Sequence, residues 1–162
     1  MSGTVVTVYL PLFFLCLYLI GLGIRKIMFM RDAARLRSEM KPGGRAVVKI
    51  GELEPGTVKK FWLICDKYRI DGVLLNCEGR FHAYVNRCRH MTTPLDFVRN
   101  QFFTEDRRHV MCMTHGAVYE PESGLCIDGP CKGLSLYRLP VVVEAGEVLV
   151  GCPAGDLSFL DD

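Results

Sequence analysis

Two short segments of the 162-residue chain carry most of its capacity for metal chemistry, Cys88-Arg89-His90 and Cys112-Met113-Thr114-His115. Each offers one soft sulfur donor and one imidazole, at C-x-H and C-x2-H spacing. Four such side chains could hold a tetrahedral zinc ion, but structural zinc sites usually group Cys with Cys at C-x2-4-C and His with His at H-x3-5-H. Neither like-with-like pair occurs in these two segments. A lone buried cysteine is more often core than ligand; four donors divided evenly between two segments weaken that reading. The other two histidines, His82 and His109, read as structural or surface residues.

Both segments follow stretches with strand character, so two loops are expected to converge on one centre. From Pro42 onward, short β-prone runs are separated by turn signals rather than by 3.6-residue periodicity. The expected strands are Ala46 to Ile50, Lys59 to Cys65, Val73 to Cys77, Phe81 to Asn86, Val110 to Cys112, Ala117 to Glu120, Leu136 to Val143 and Glu147 to Gly151. Cys77-Glu78-Gly79-Arg80, Pro121-Glu122-Ser123-Gly124 and Glu144-Ala145-Gly146 supply turns. Pro140 requires an edge or bulge position. Residues 104–108, between the two metal-donor segments, read as a hairpin tip. The expected fold is mainly β and antiparallel.

The spaced residues together resemble the Rieske iron-sulfur family, over roughly Ala46 to Gly151. The resemblance rests on Asn86, Pro94-Leu95-Asp96, Cys112-x-x-His115-Gly116-Ala117, Tyr119, and Gly124-Leu-Cys126-Ile-Asp-Gly129-Pro130-Cys131-Lys-Gly. Within the family the chain looks like the small bacterial Rieske ferredoxins. The resemblance implies a Rieske-type antiparallel β domain with cluster-binding loops and one [2Fe-2S] cluster, in which two His replace two Cys on one iron. Carried across, Cys88 and Cys112 would ligate one iron, and His90 and His115 the other. Gly116 would admit the backbone to the cluster, Tyr119 would bond a ligand sulfur, and Gly129-Pro130 would form a covering loop.

The quinol-oxidising members carry an extra Cys in each ligand loop and a Ser after the His-Gly pair. Here Met91, Thr92 and Thr93 follow His90, while Met113, Thr114 and Ala117 occupy the second loop. The missing hydroxyl and disulfide imply a lower potential. Arg87 and Arg89 are candidates for docking an acidic partner. Cys126 and Cys131 flank Gly129-Pro130 and are expected to remain thiols in a reducing compartment.

Composition bounds the rest. Twenty Lys and Arg against eighteen Asp and Glu leave a net charge of +2, which gives no reason to expect nucleic acid. Thr4 to Ile24 is uncharged and would extend about 31 Å as a helix, the span of a bilayer core. Six basic against two acidic side chains follow over residues 25–41, which places the C-terminal part on the cytoplasmic side by the positive-inside rule.

The expected organisation is therefore a transmembrane anchor over 1–24, a basic juxtamembrane helix and linker over 25–45, the Rieske domain over 46–151 and a tail over 152–162. The expected protein is single-pass in a bacterial inner membrane. Its function would be one-electron transfer, or alternatively an accessory or redox-sensing role in a membrane complex. Expected partners are the membrane bilayer and a redox-partner protein or integral membrane complex, with no small-molecule substrate. A stand-alone oxygenase would need a separate 2-His-1-carboxylate iron, and no His follows His115.

Overall fold

A computed structural model describes residues 18–24, 40–98 and 101–161. The chain divides into two units, Met1–Leu36 and Arg37–Asp162. In the first, residues 18–24 are helical. Among the described residues no helix is long and apolar enough to cross a membrane. The expected transmembrane helix is therefore not supported, and the expected single-pass inner-membrane location is withdrawn. The remainder of Thr4 to Ile24 lies outside the described residues. So does the basic helix over 25–41, apart from Met40 and Lys41, which are extended rather than helical.

Among the described residues the second unit holds ten strands: β1 (Met40–Lys49), β2 (Thr57–Cys65), β3 (Tyr68–Cys77), β4 (Arg80–Val85), β5 (Val110–Met111), β6 (Val118–Tyr119), β7 (Cys126–Asp128), β8 (Arg138–Leu139), β9 (Val141–Glu144) and β10 (Glu147–Pro153). They form three antiparallel sheets, ordered β1-β10-β9, β2-β3-β4-β8 and β5-β6-β7. Turn chemistry sets the register. Between β3 and β4, Glu78 and Gly79 both take positive φ, 53° and 85°, the conformation that a two-residue hairpin loop needs to match strand twist. Residues 145 and 146 do the same between β9 and β10.

The one expected strand over Leu136 to Val143 divides at Pro140. Proline has no N–H for a ladder, and here the chain changes sheets: β8 pairs with β4, whereas β9 pairs with β10. Pro42-Gly43-Gly44 does not end an element either. It falls where the β1–β10 register shifts between Lys41 and Ala46, so it is absorbed as an irregularity within the strand.

Strand β3 separates two cores. Ile70 and Leu74 pack with Val48, Leu63, Val148 and Val150; Val73 and Leu75 pack with Tyr84, Leu95, Val110, Tyr119 and four cysteines. Burial on both faces explains why Val73-Leu74-Leu75 reads as a short apolar run, whereas residues 69–72 alternate between exposed and buried. The first core carries a Cys65–Cys152 disulfide joining β2 to β10. The second core is the floor of the cysteine–histidine site.

Candidate metal centre

Both donor loops are closed in the same way. The Cys88 N–H donates to the Thr93 carbonyl at 2.9 Å, and the Cys112 N–H donates to the Ala117 carbonyl at 2.8 Å. In each case the first donor cysteine bonds the backbone five residues on, folding the intervening histidine outward. The loops are tied together by Met113 N–H to Leu95 O at 3.0 Å and by the Thr93 and Thr114 hydroxyls at 3.4 Å.

A polar strut holds the first loop from below. The Asn86 side chain accepts from the Leu95 N–H at 3.0 Å and donates to Asp96 Oδ1 at 2.9 Å and Asp71 Oδ2 at 3.1 Å. Lys60, on β2, pairs with Asp96 at 2.8 Å. Burial alone would raise the Asp96 pKa, but Lys60 and Asn86 outweigh it and hold the carboxyl below its ordinary range. A buried carboxylate with this many donors is a satisfied one.

The third loop packs directly on the second. Gly129 has φ of +95°, and a Cβ there would come within 2.8 Å of Ala117 Cα. Both facts require glycine. Gly116 has φ of +71° and, like Pro130, lies at the exposed surface.

These loops sort the four donors by burial. Cys88 and Cys112 are 5% and 0% exposed, while His90 and His115 lie at the surface with ring centroids 4.9 Å apart, edge to face. The two thiols interact with each other. Burial pushes the Cys88 thiol up, but the Tyr119 hydroxyl, the His90 N–H and Cys112 together bring it below its usual value. Burial and the adjacent Cys88 sulfur push Cys112 up despite a backbone bond from Thr114.

Tyr119 is fully buried, and its hydroxyl lies 3.2 Å from Cys88 Sγ and 3.0 Å from Cys131 Sγ while accepting from the Arg89 N–H at 3.1 Å. Burial, Cys131 and Cys88 all raise its pKa, so it stays protonated and can donate.

Arg87 and Arg89 are turned toward the chain's own C-terminal segment. Arg87 donates to the Phe159 carbonyl at 2.7 Å, and the Arg89 guanidinium sits 4.0 Å over the Tyr137 ring, which stacks on Phe159 at 3.9 Å. They buttress the first loop from the side. His82 is paired opposite Leu75 in the β3–β4 ladder, and His109 closes the hairpin tip of residues 104–108 through its backbone. Neither stands in the two donor loops. Cys126 and Cys131 are free thiols, as expected.

Sequence reasoning assigned no role to Lys60 or Asp71, and none to Cys131 beyond a thiol. Only the contiguity of Asn86 with the first loop and of Asp96 with Pro94-Leu95 hinted at the strut. Nothing local in the sequence signals the Cys65–Cys152 disulfide, because 87 residues separate its ends and β2 and β10 belong to different sheets that meet only through the shared core.

Among the described residues no group of three or more His, Cys, Asp or Glu side chains is gathered around a single metal-ion position. A two-iron cluster with bridging sulfides asks for two protein donors per iron. The buried thiol pair and the exposed imidazole pair meet that requirement. A family model described as the Rieske [2Fe-2S] domain matches residues 35–140, while no curated protein matches the chain.

Among solved structures, the ferredoxin of carbazole 1,9a-dioxygenase from Nocardioides aromaticivorans IC177 is 24% identical, with a TM-score of 0.53, over 65% of this chain and 93% of that one. The terminal oxygenase of carbazole 1,9a-dioxygenase from Novosphingobium sp. KA1 is 20% identical, with a TM-score of 0.58, over 77% of this chain but 35% of that one. A chain in the reduced complex between oxygenase and ferredoxin in carbazole 1,9a-dioxygenase is 19% identical, with a TM-score of 0.58, over 72% of this chain and 30% of that one. The present chain thus spans about a third of the longer relatives. At these identities the likeness is one of fold.

Proposed function

Because the chain belongs to the Rieske [2Fe-2S] domain family, we propose that it is a one-electron carrier in which Cys88 and Cys112 hold one iron and His90 and His115 hold the other. The cofactor is one Rieske-type [2Fe-2S] cluster, and when bound it supplies a reversible one-electron couple. The observation that carries the assignment of donors is their division by depth, with both sulfurs in the core and both imidazoles at the surface.

That division gives the site a direction. Thiolates stabilise ferric iron more than neutral imidazoles do, so the added electron belongs on the histidine side. His90 and His115 therefore form the edge through which electrons pass. Exposed Met91 beside His90 offers a partner protein an adaptable apolar contact. Tyr119 donates to Cys88, and Gly129 on Ala117 seals the second loop. An oxygenase component is the acceptor suggested by likeness to the ferredoxin–oxygenase system. With Ala117 in place of a hydroxyl donor and no disulfide between the donor loops, the potential falls in the lower part of the roughly −150 to +300 mV Rieske range.

Purified protein is expected to be reddish-brown, to contain iron and acid-labile sulfide in equal amounts, and to give a Rieske-type EPR signal on reduction. Replacing His115→Cys should shift that signal by changing the nitrogen-to-sulfur ratio on one iron. Colourless protein loaded with zinc, or an unchanged spectrum in the variant, would overturn the assignment.

A further inference from the structure

Cys126 and Cys131 take no part in the donor set, yet their sulfurs lie 3.3 Å apart. Both are free thiols, 1% and 5% exposed. The backbone fixes the pair: the Cys126 N–H donates to Leu134 O at 2.8 Å, the Gly133 N–H donates to Cys126 O at 2.8 Å, and the Leu134 N–H donates to Cys131 O at 3.0 Å. A disulfide needs a sulfur separation of about 2.05 Å, so closure asks for little more than about 1 Å of side-chain rotation. Cys131 also touches the Tyr119 hydroxyl, which in turn touches Cys88. A dithiol therefore stands one hydroxyl away from a metal donor.

We propose that Cys126 and Cys131 form a second redox site, a dithiol that a peroxide converts to a disulfide and whose state is passed to the metal centre through the Tyr119 hydroxyl. The disulfide chemistry stands on the sulfur geometry alone; the coupling rests on the cluster assignment above.

Burial excludes a protein-sized oxidant and admits a small one. Cys131 is the more exposed residue of the two, 5% against 1%, and is flanked by exposed Pro130 and Lys132. Its sulfur attacks one peroxide oxygen: an S–O bond forms, the O–O bond breaks, and the departing hydroxide takes the thiol proton as water. Cys126 sulfur then attacks Cys131 sulfur: the S–S bond forms, the S–O bond breaks, and hydroxide leaves with the Cys126 proton as a second water. Two thiols give up two electrons, and one peroxide becomes two waters. A dithiol reductant reverses the change.

The coupling follows from counting protons. Tyr119 has one proton to donate, and a metal-bound Cys88 thiolate can only accept. The Cys131 S–H is directed at Cys126 Sγ and the Cys126 S–H at the Asp128 carbonyl, so the Tyr119 O–H is shared between the Cys88 and Cys131 sulfurs while its oxygen accepts from the Arg89 N–H. Oxidation makes Cys131 a disulfide sulfur, a poorer acceptor than a thiol that donates its own proton, and leaves the hydroxyl to Cys88. A stronger hydrogen bond to a ligand sulfur raises the potential.

The test treats the full-length, cluster-loaded protein with one equivalent of hydrogen peroxide and follows cluster retention by visible absorption. Free thiols are then alkylated under denaturing conditions, and the peptide holding Cys126 and Cys131 is mapped by mass. The expected peptide carries no alkyl group, is two hydrogens lighter, and recovers both thiols after dithiothreitol. Full alkylation after peroxide would overturn the site. In Cys126→Ser, a dimedone adduct should accumulate on Cys131; its absence would overturn the order of attack.

In parallel, an EPR-monitored titration should give a higher midpoint for the oxidised protein than for the reduced one, and no difference in Tyr119→Phe. A disulfide that forms without moving the wild-type midpoint would overturn the coupling. A preparation lacking the Rieske signal would instead overturn the cluster assignment, and the thiol mapping would remain readable.

Discussion

The two cores on either side of β3 are held by different means. On one side, strands of up to ten residues run in long register, β2 against β3 and β1 against β10, and the cysteines Cys65 and Cys152 are bonded to each other. On the other side, β5, β6 and β7 are two or three residues long, and all four buried cysteines are free. There, side chains do what ladders do elsewhere: Asn86, Tyr119 and the paired threonines connect loops that share little backbone. The contrast shows where each region's stability comes from. The ladder core carries its own, whereas the loop core would draw part of its stability from the cluster that the proposed donors hold.

The sharpest way to test that separation is to remove the staple. In the double variant Cys65→Ala and Cys152→Ala, an 87-residue loop is no longer closed, which should cost about 4.6 kcal/mol of unfolding free energy by the chain-entropy estimate. Chemical denaturation followed by circular dichroism measures this. The EPR signal of the folded variant should match wild type. A changed signal would mean that strain from the ladder core reaches the metal donors, and the two regions would have to be treated as one.

The same contrast explains what the sequence makes legible. The ladder core announces itself through β-branched runs and positive-φ turn pairs such as Glu78-Gly79, but β1 and β3 begin well before their expected starts, at Met40 rather than Ala46 and at Tyr68 rather than Val73. Strand β3 begins earlier than expected because Tyr68-Arg69-Ile70-Asp71-Gly72 mixes charge with glycine, and only pairing with β2 makes it extended. Strand β7 escapes notice because three residues carry no period. In the loop core, the proposed donors are read through chemistry rather than periodicity, since Cys and His at matched places need no secondary structure to be noticed, and the structure brings the two segments that carry them side by side. Their supports are not legible. Lys60 lies 36 residues from Asp96, and nothing local at either residue anticipates the other. Arg87 and Arg89 read as charges awaiting a partner; the C-terminal segment that receives them is visible only in three dimensions.

A smaller perturbation confined to the loop core is Gly129→Ala. The new methyl group would meet Ala117 Cα at 2.8 Å, and the backbone would hold a side chain at φ of +95°. Overpacking and an unfavourable φ together should cost about 2 kcal/mol, expressed as faster cluster loss on mild heating or chelation rather than as a large change in the β signal. The rate of bleaching at fixed temperature is the measurement. An unchanged rate with a lowered melting temperature would place the damage in the ladder core and contradict the division.

The smallest expected effect concerns the strut that crosses between the regions, since Lys60 belongs to β2 and Asp96 to the first donor loop. Asp96 is 4% exposed at its side chain and Lys60 41%, so the pair is only partly screened. Because the folded carboxyl is held below its ordinary value of 3.8, its ionised form stabilises the fold. That contribution is complete above the ordinary carboxylate range and is lost as pH falls through 3.8 toward the depressed folded value. Asn is a near-replica of the protonated acid, accepting from Asn86 but unable to attract Lys60. Asp96→Asn should therefore be less stable than wild type by about 1 kcal/mol at neutral pH, and the gap should close as the pH drops below about 4. Urea unfolding at neutral and acid pH measures it. A gap that stays constant into acid would show that Asp96 supports the loop by shape and hydrogen bonding alone, with no electrostatic bridge between the two cores.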